Sequence, residues 1–254
     1  MEKIDVKSIL TETNTKAGDK QEIICETGSD TADSACSDEA DEVTPISNST
    51  TIAVSLFSHE LSQIKTFIKP TTKEIEEKKV ILGLKEKKYT LVLDLDHTLV
   101  FSVPLYEADE VNYGAKFAVK IRPYALSLLE RLSEKFEIVI FTAAEQEYAK
   151  AITELLDPHH KFVRTVVTQQ SCFIVKSRYF VKDLRIFSDR NLSEMLIVDD
   201  NVFSFAFQLE NGVPVSQFKG NKDDDELLYL IGYLESVYNE PELLKYNRSK
   251  IGLL

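Results

Sequence analysis

From Tyr89 onward the chain alternates strand-length apolar runs with helical stretches, and this alternation constrains the fold more than any other feature of its 254 residues. Residues 89–93 form a β-rich run. Residues 123–136 read as a helix, with Pro123 near its first turn and leucines at 126, 129 and 132. Residues 137–141 are the next strand and 145–156 the next helix, which Asp157-Pro158 stops. Further apolar runs follow at 162–167, 195–198 and 213–215. The stretch 225–238 closes with Leu227, Leu228, Ile231, Leu234 and Tyr238 on one helical face. Strand and helix in turn predict an α/β fold, a doubly wound parallel sheet with helices on both sides. Ligands of such sheets bind beyond the carboxyl ends of the strands, so the polar residues that directly follow apolar runs are the functional candidates.

Those residues are Asp94 and Asp96 after the first run, Thr142 after the second, and Asp199 with Asp200 after the run at 195–198. Asp94 and Asp96 are two apart, which on an extended chain puts both on one side. Two ionised carboxylates among apolar neighbours are costly unless a cation compensates them. An all-oxygen, carboxylate-rich set with no His or Cys cluster suits magnesium, which takes one or two carboxylates and keeps several waters. Carboxylate, magnesium and hydroxyl or ammonium donors together fit phosphoryl transfer, where catalysis is mainly positioning and charge neutralisation. Taken singly, each residue also has a plainer reading: a strand-end acid or Thr142 as a helix cap, Lys182 as a surface ion pair.

The run Asp94-Leu95-Asp96-His97-Thr98-Leu99-Val100 resembles the D-x-D-x-T signature of the haloacid dehalogenase superfamily. Arg122-Pro123 opening a helix, Phe141-Thr142-Ala143-Ala144 ending a strand, Tyr179 through Leu184 around Lys182, and Ile197-Val198-Asp199-Asp200-Asn201 follow in the order of the small C-terminal-domain phosphatases, over about residues 80–240. The resemblance implies Asp94 as nucleophile and Asp96 as the acid that protonates the leaving oxygen and then activates water. It implies magnesium held by Asp94, the backbone carbonyl of Asp96 and Asp200, with Asp199 behind them. Thr142 and Lys182 would hold phosphoryl oxygens, and Thr98 would brace the loop. The implied substrate is a phosphorylated protein, the C-terminal tail of RNA polymerase II among the candidates. Where the family has Arg-Glu-x-Cys, this chain has Gln169-Gln170-Ser171-Cys172. Gln169 thus replaces a substrate-contacting arginine and brings hydrogen bonds but no charge to a phosphate. His97 reads as a solvent-facing neighbour, and Cys172 as a small buried hydrophobe without the His partner of a thiol nucleophile.

Only 23 residues separate Thr98 from Arg122, and 16 separate Lys182 from Asp199. That is room for a short β-hairpin insert rather than a lid domain, and it leaves the site open to a side chain on a large partner. Residues 1–50 hold 12 acids against 4 lysines, whereas the remaining residues carry 30 acids and 26 bases. Residues 1–51 therefore read as a disordered acidic N-terminal tail, 52–84 as a lead-in with weak helical signals, and 85–254 as the catalytic domain. A fragment 80–254 is expected to fold and turn over alone. The net charge of −12 argues against direct nucleic-acid binding, and no apolar run approaches the roughly 20 residues that span a bilayer. A monomer in the nucleus or cytoplasm is expected. Two other readings share these residues: a phosphoprotein-binding module that has lost turnover, and a small-molecule phosphatase. A phosphorelay receiver carries its acidic pair before the phosphorylated aspartate, the reverse of the order here.

Overall fold

Parallel strands buried on both faces need near-continuous apolar sequence, and three runs of this chain supply it. The computed structural model describes residues 57–108, 110–112 and 117–253. In it β1 (Tyr89–Leu93), β5 (Phe136–Phe141) and β9 (Met195–Asp199) are buried along their whole length. With β6 (Val163–Val167) and β10 (Gly212–Pro214) they form a parallel sheet in the order β10-β9-β1-β5-β6. From β1 the chain winds outward through β5 and β6, then returns to β1's other side with β9 and β10. The crevice between the carboxyl ends of β1 and β9 is therefore the topological switch point, where open α/β sheets bind ligands. Helices α3 (Ala125–Ser133), α4 (Gln146–Leu156), α5 (Glu226–Tyr238) and α6 (Leu243–Ile251) flank this sheet. Asp157 stops α4 by accepting the backbone N–H groups of Lys161, Phe162 and Val163 at 2.8, 2.9 and 2.9 Å.

The expected helix over 123–136 is shorter, because Phe136 begins β5. The residue before α3, Tyr124, adopts a left-handed φ of 67°, and Pro123 lies outside the helix. The insert is larger than a hairpin: β2 (Val100–Ser102), β3 (Glu110–Asn112) and β4 (Phe117–Ile121) make a three-stranded antiparallel sheet in the order β2-β4-β3. A second small antiparallel pair, β7 (Phe173–Val175) with β8 (Tyr179–Val181), leads into Lys182. The short final helix α6 has no counterpart in the sequence reading.

Residues before 80 also pack onto the folded unit. Phe57, the first described residue, is already buried, and so are Leu61 and Ile64 of α1 (Ser58–Ile64). Phe67 stacks on Phe203 at 5.9 Å and lies 5.1 Å from the Tyr179 ring, while the Tyr179 hydroxyl donates to Gln63 Oε1 at 2.6 Å. Residues 57–69 thus brace the strand that carries Lys182 and the turn that follows Asp200. Only the apolar spacing of Phe57, Leu61 and Ile64 signalled this. A second helix, α2 (Thr72–Glu77), has a capping box between Thr71 and Glu74. The acidic tail lies outside the described residues. Leu61→Ala is expected to lower the unfolding free energy by about 2–4 kcal/mol in urea denaturation, the scale of a core leucine truncation. A loss below about 0.5 kcal/mol, typical of surface sites, would show that α1 stands outside the cooperative unit.

Candidate active site

The register of the central strands decides which acids meet. Leu93 of β1 pairs with Val198 of β9, and the Asp94 N–H donates to the Val198 carbonyl at 2.9 Å. Asp94 and Asp199 therefore lie at matched heights at the switch point, with Asp200 next in line. One carboxylate oxygen from each of Asp94, Asp199 and Asp200 falls within 4.8 Å of the others. Lys182 joins them from the end of β8, where its backbone N–H is pinned to the Ser204 carbonyl at 2.7 Å. Its ammonium donates to Asp94 Oδ1 at 2.5 Å and to Asp199 Oδ2 at 2.6 Å. The Thr98 hydroxyl donates to Asp94 Oδ2 at 3.0 Å, so both oxygens of Asp94 are held.

Charge in this group does not balance. Three carboxylates face one ammonium, all of them buried except the half-buried Asp200. Burial, and next the Asp94 charge, push the Asp200 carboxyl up to about 7. Burial likewise raises Asp199 against the pull of the Lys182 ammonium. Burial disfavours the charge on Lys182, but Asp199 and Asp94 outweigh it and hold the ammonium well above the ordinary lysine value. A hard divalent cation would supply the missing positive charge, and the donors are oxygens with no His or Cys among them, so the residues fit magnesium.

Asp96 lies in the loop after β1, which ends at Leu93, just before His97 with its left-handed φ of 63°. The Asp96 carboxylate is not part of the three-acid group. It accepts a hydrogen bond from the Tyr148 hydroxyl at 2.5 Å, and that hydroxyl lies 2.7 Å from Ser102 Oγ. Burial raises the Asp96 carboxyl, and the Asp94 charge adds to this against the Tyr148 hydrogen bond. Burial and the neighbouring Asp96 push the Tyr148 phenol well above its ordinary value, which keeps it a proton donor. Only the Asp96 backbone carbonyl remains for the metal role assigned to that residue.

Thr142 sits at the end of β5, buried, with its oxygen accepting from the Ala144 N–H at 3.0 Å and its own hydroxyl proton left to donate. This turn precedes α4, whose N-cap is Glu145 rather than Thr142. Gln169 is half-buried at the start of a 3-10 turn, and its backbone N–H donates to the Ala144 carbonyl at 3.0 Å, which ties it to the Thr142 loop. His97 is half-buried, its Nδ1 3.1 Å from the Phe218 carbonyl, so it is less solvent-facing than expected. Cys172 is buried and its thiol is pushed up to about 11 by burial, as suits a small hydrophobe. Arg122 is fully buried. It grips Asp224 through two nitrogens at 2.7 and 3.0 Å and donates to the Thr98 carbonyl at 3.2 Å, locking the loop after β1 to the segment before α5. Tyr148 and Ser102 were missed in the sequence: Tyr148 sits within a helix, and Ser102 follows only the short run Leu99-Val100-Phe101.

Residues 89–244 match the profile of the NLI interacting factor-like phosphatases, a span that covers β1, the insert, Lys182 and both late acids. The chain belongs to this family. Within it, the chain is 38% identical over 179 residues to CTD small phosphatase-like protein 3 of Caenorhabditis elegans, covering 66% of this chain and 62% of that one. It is 36% identical to the human CTD small phosphatase-like protein, covering 61% of this chain and 58% of the relative. For CTD small phosphatase-like protein 2 of Dictyostelium discoideum the identity is 34%, over 65% of this chain and 30% of the relative. The chain thus spans under two thirds of the length of these relatives. The fission yeast RNA polymerase II CTD phosphatase Fcp1, solved with beryllium fluoride, aligns at 15% identity over 77% of this chain and 65% of its own, with a TM-score of 0.41. Among the described residues of this NLI interacting factor-like phosphatase, no helix is long and apolar enough to cross a membrane.

Proposed function

We propose that this chain is a magnesium-dependent protein serine/threonine phosphatase that works through an aspartyl-phosphate on Asp94. The observation that carries the reading is Asp94 itself. It lies at the switch point with one oxygen on Lys182, the other on Thr98, and two further acids within reach of a shared cation. An Asp94 oxygen attacks phosphorus while the bond to the serine or threonine oxygen breaks, and the Asp96 carboxyl gives its proton to that leaving oxygen. In the second step Asp96 takes a proton from water, which attacks phosphorus and frees Asp94. Lys182 and the Thr142 hydroxyl neutralise charge on the phosphoryl oxygens throughout. Asp94, Asp200 and the Asp96 carbonyl would hold magnesium, with Asp199 behind them, and the ion would supply positive charge toward the phosphoryl group. Gln169, stitched to the Thr142 loop, would reach a substrate oxygen as a neutral donor.

The catalytic unit takes in the segment from Phe57 as well as residues 85–254, and it acts as a monomer in the nucleus or cytoplasm. An open site with a small three-stranded insert suits a phosphorylated side chain on a protein, the tail of RNA polymerase II among the candidates. Release of p-nitrophenol from p-nitrophenyl phosphate is expected with magnesium and lost with a chelator. Phosphoserine peptides are expected to be cleaved as well. No turnover above the chelated control would turn the reading to a phosphoprotein-binding module, and cleavage of sugar phosphates in preference to peptides would turn it to a small-molecule enzyme.

A further inference from the structure

The loop after β1 meets two other elements at a single carboxylate. Tyr148, in the first turn of α4, donates its hydroxyl proton to Asp96 Oδ1 at 2.5 Å. Ser102, the last residue of β2, has its hydroxyl 2.7 Å from the Tyr148 oxygen. A phenol has one proton, and here it is committed to Asp96, so Ser102 is the donor to Tyr148. The result is a directed chain running from the exposed Ser102 through the half-buried Tyr148 to the acid. Helix α4 also packs against β3 and β4, so the insert and the helix are held together where the chain crosses between them.

We infer that Tyr148 is a positioning residue for the acid of the reaction, with Ser102 orienting it, and that it selects which oxygen of Asp96 carries the proton. A protonated carboxyl has one carbonyl oxygen and one hydroxyl oxygen. A donor fixed on Oδ1 makes that atom the carbonyl, which leaves the proton on Oδ2, the oxygen that must face the leaving group. Without Tyr148 the proton is distributed over both oxygens and the carboxyl is free to rotate, so the fraction of molecules able to protonate the leaving group falls. The proton balance is unchanged: it passes from Asp96 Oδ2 to the leaving oxygen as the Asp94 to phosphorus bond forms and the ester bond breaks. Neither Tyr148 nor Ser102 touches the phosphoryl group in this assignment. It rests on the reading of Asp96 as general acid given above.

The consequence is a dependence on the leaving group that a merely structural tyrosine would not produce. Nitrophenolate departs without a proton, whereas phenolate gains much more from one. The test compares kcat/KM for phenyl phosphate and p-nitrophenyl phosphate in the full chain and in Tyr148→Phe, Ser102→Ala and Asp96→Asn. Tyr148→Phe is expected to lose about tenfold on phenyl phosphate, part of the ~10²- to 10⁴-fold that a positioned acid contributes, and under about threefold on p-nitrophenyl phosphate. Ser102→Ala, at an exposed site that tolerates the change, is expected to show the same preference with a smaller loss. Equal losses on both substrates in Tyr148→Phe, with Asp96→Asn still discriminating between them, would overturn the positioning role and leave the general acid intact. If Asp96→Asn itself fails to discriminate, the acid assignment falls and the role of Tyr148 falls with it.

Discussion

Asp94→Asn is expected to abolish turnover, a loss of ~10⁴-fold or more, on the scale seen when a covalent nucleophile is removed. The amide nitrogen has no lone pair suited to attack phosphorus, and its oxygen is far less nucleophilic than a carboxylate. The fold should survive the change. Asn nearly matches Asp in shape, Lys182 keeps an acceptor at Oδ1, and loss of one negative charge relieves repulsion among Asp94, Asp199 and Asp200. One local cost remains: the amide group that replaces Oδ2 turns a donor toward the Thr98 hydroxyl, which must rotate to accept. The readouts are p-nitrophenyl phosphate turnover and a thermal melt of the same preparation. A melt within a few degrees of wild type with no turnover fits the assignment. Activity within about tenfold of wild type, well short of a nucleophile loss, would move the nucleophile elsewhere.

How far such a site can be read from sequence depends on whether its residues follow the strand rule. Asp94, Asp199, Asp200 and Thr142 do, because a parallel sheet places every strand's carboxyl end on one edge, and three apolar runs announced those ends. Lys182 does not follow a central strand. It comes from the small β7-β8 pair, and family resemblance rather than periodicity pointed to it. Asp96 was legible as a neighbour of Asp94, but its tie to Tyr148, made beyond the end of β1 at Leu93, was not. Tyr148 and Ser102 were silent, one being an ordinary residue on an amphipathic helix and the other a polar residue on a short strand. Their partnership exists only because the insert folds against α4. The same reason hid the bracing role of residues 57–69: the local apolar spacing was visible, but its docking on Tyr179 and Phe203 is a contact across more than 100 residues.

Lys182→Met separates the two jobs this site asks of one ammonium. In the fold, Lys182 is the buried cation that faces Asp94 and Asp199, and methionine replaces its stem but not its charge. Breaking a buried pair by deleting one partner leaves uncompensated charge, a cost of about 3–5 kcal/mol. In the reaction, the same ammonium is a preorganised donor toward the phosphoryl oxygens, and losing one such donor costs on the order of 10²- to 10³-fold in rate. The two effects answer differently to magnesium. With three acids left unbalanced, the variant has more to gain from a divalent cation than wild type has, so its melting temperature is expected to rise more steeply with added magnesium. Its rate should stay depressed at saturating metal, because the ion substitutes for the charge and not for the donor directed at the phosphoryl group. A variant that regained wild-type turnover once magnesium was saturating would show that Lys182 serves only to neutralise the acids and takes no part in holding the phosphoryl group.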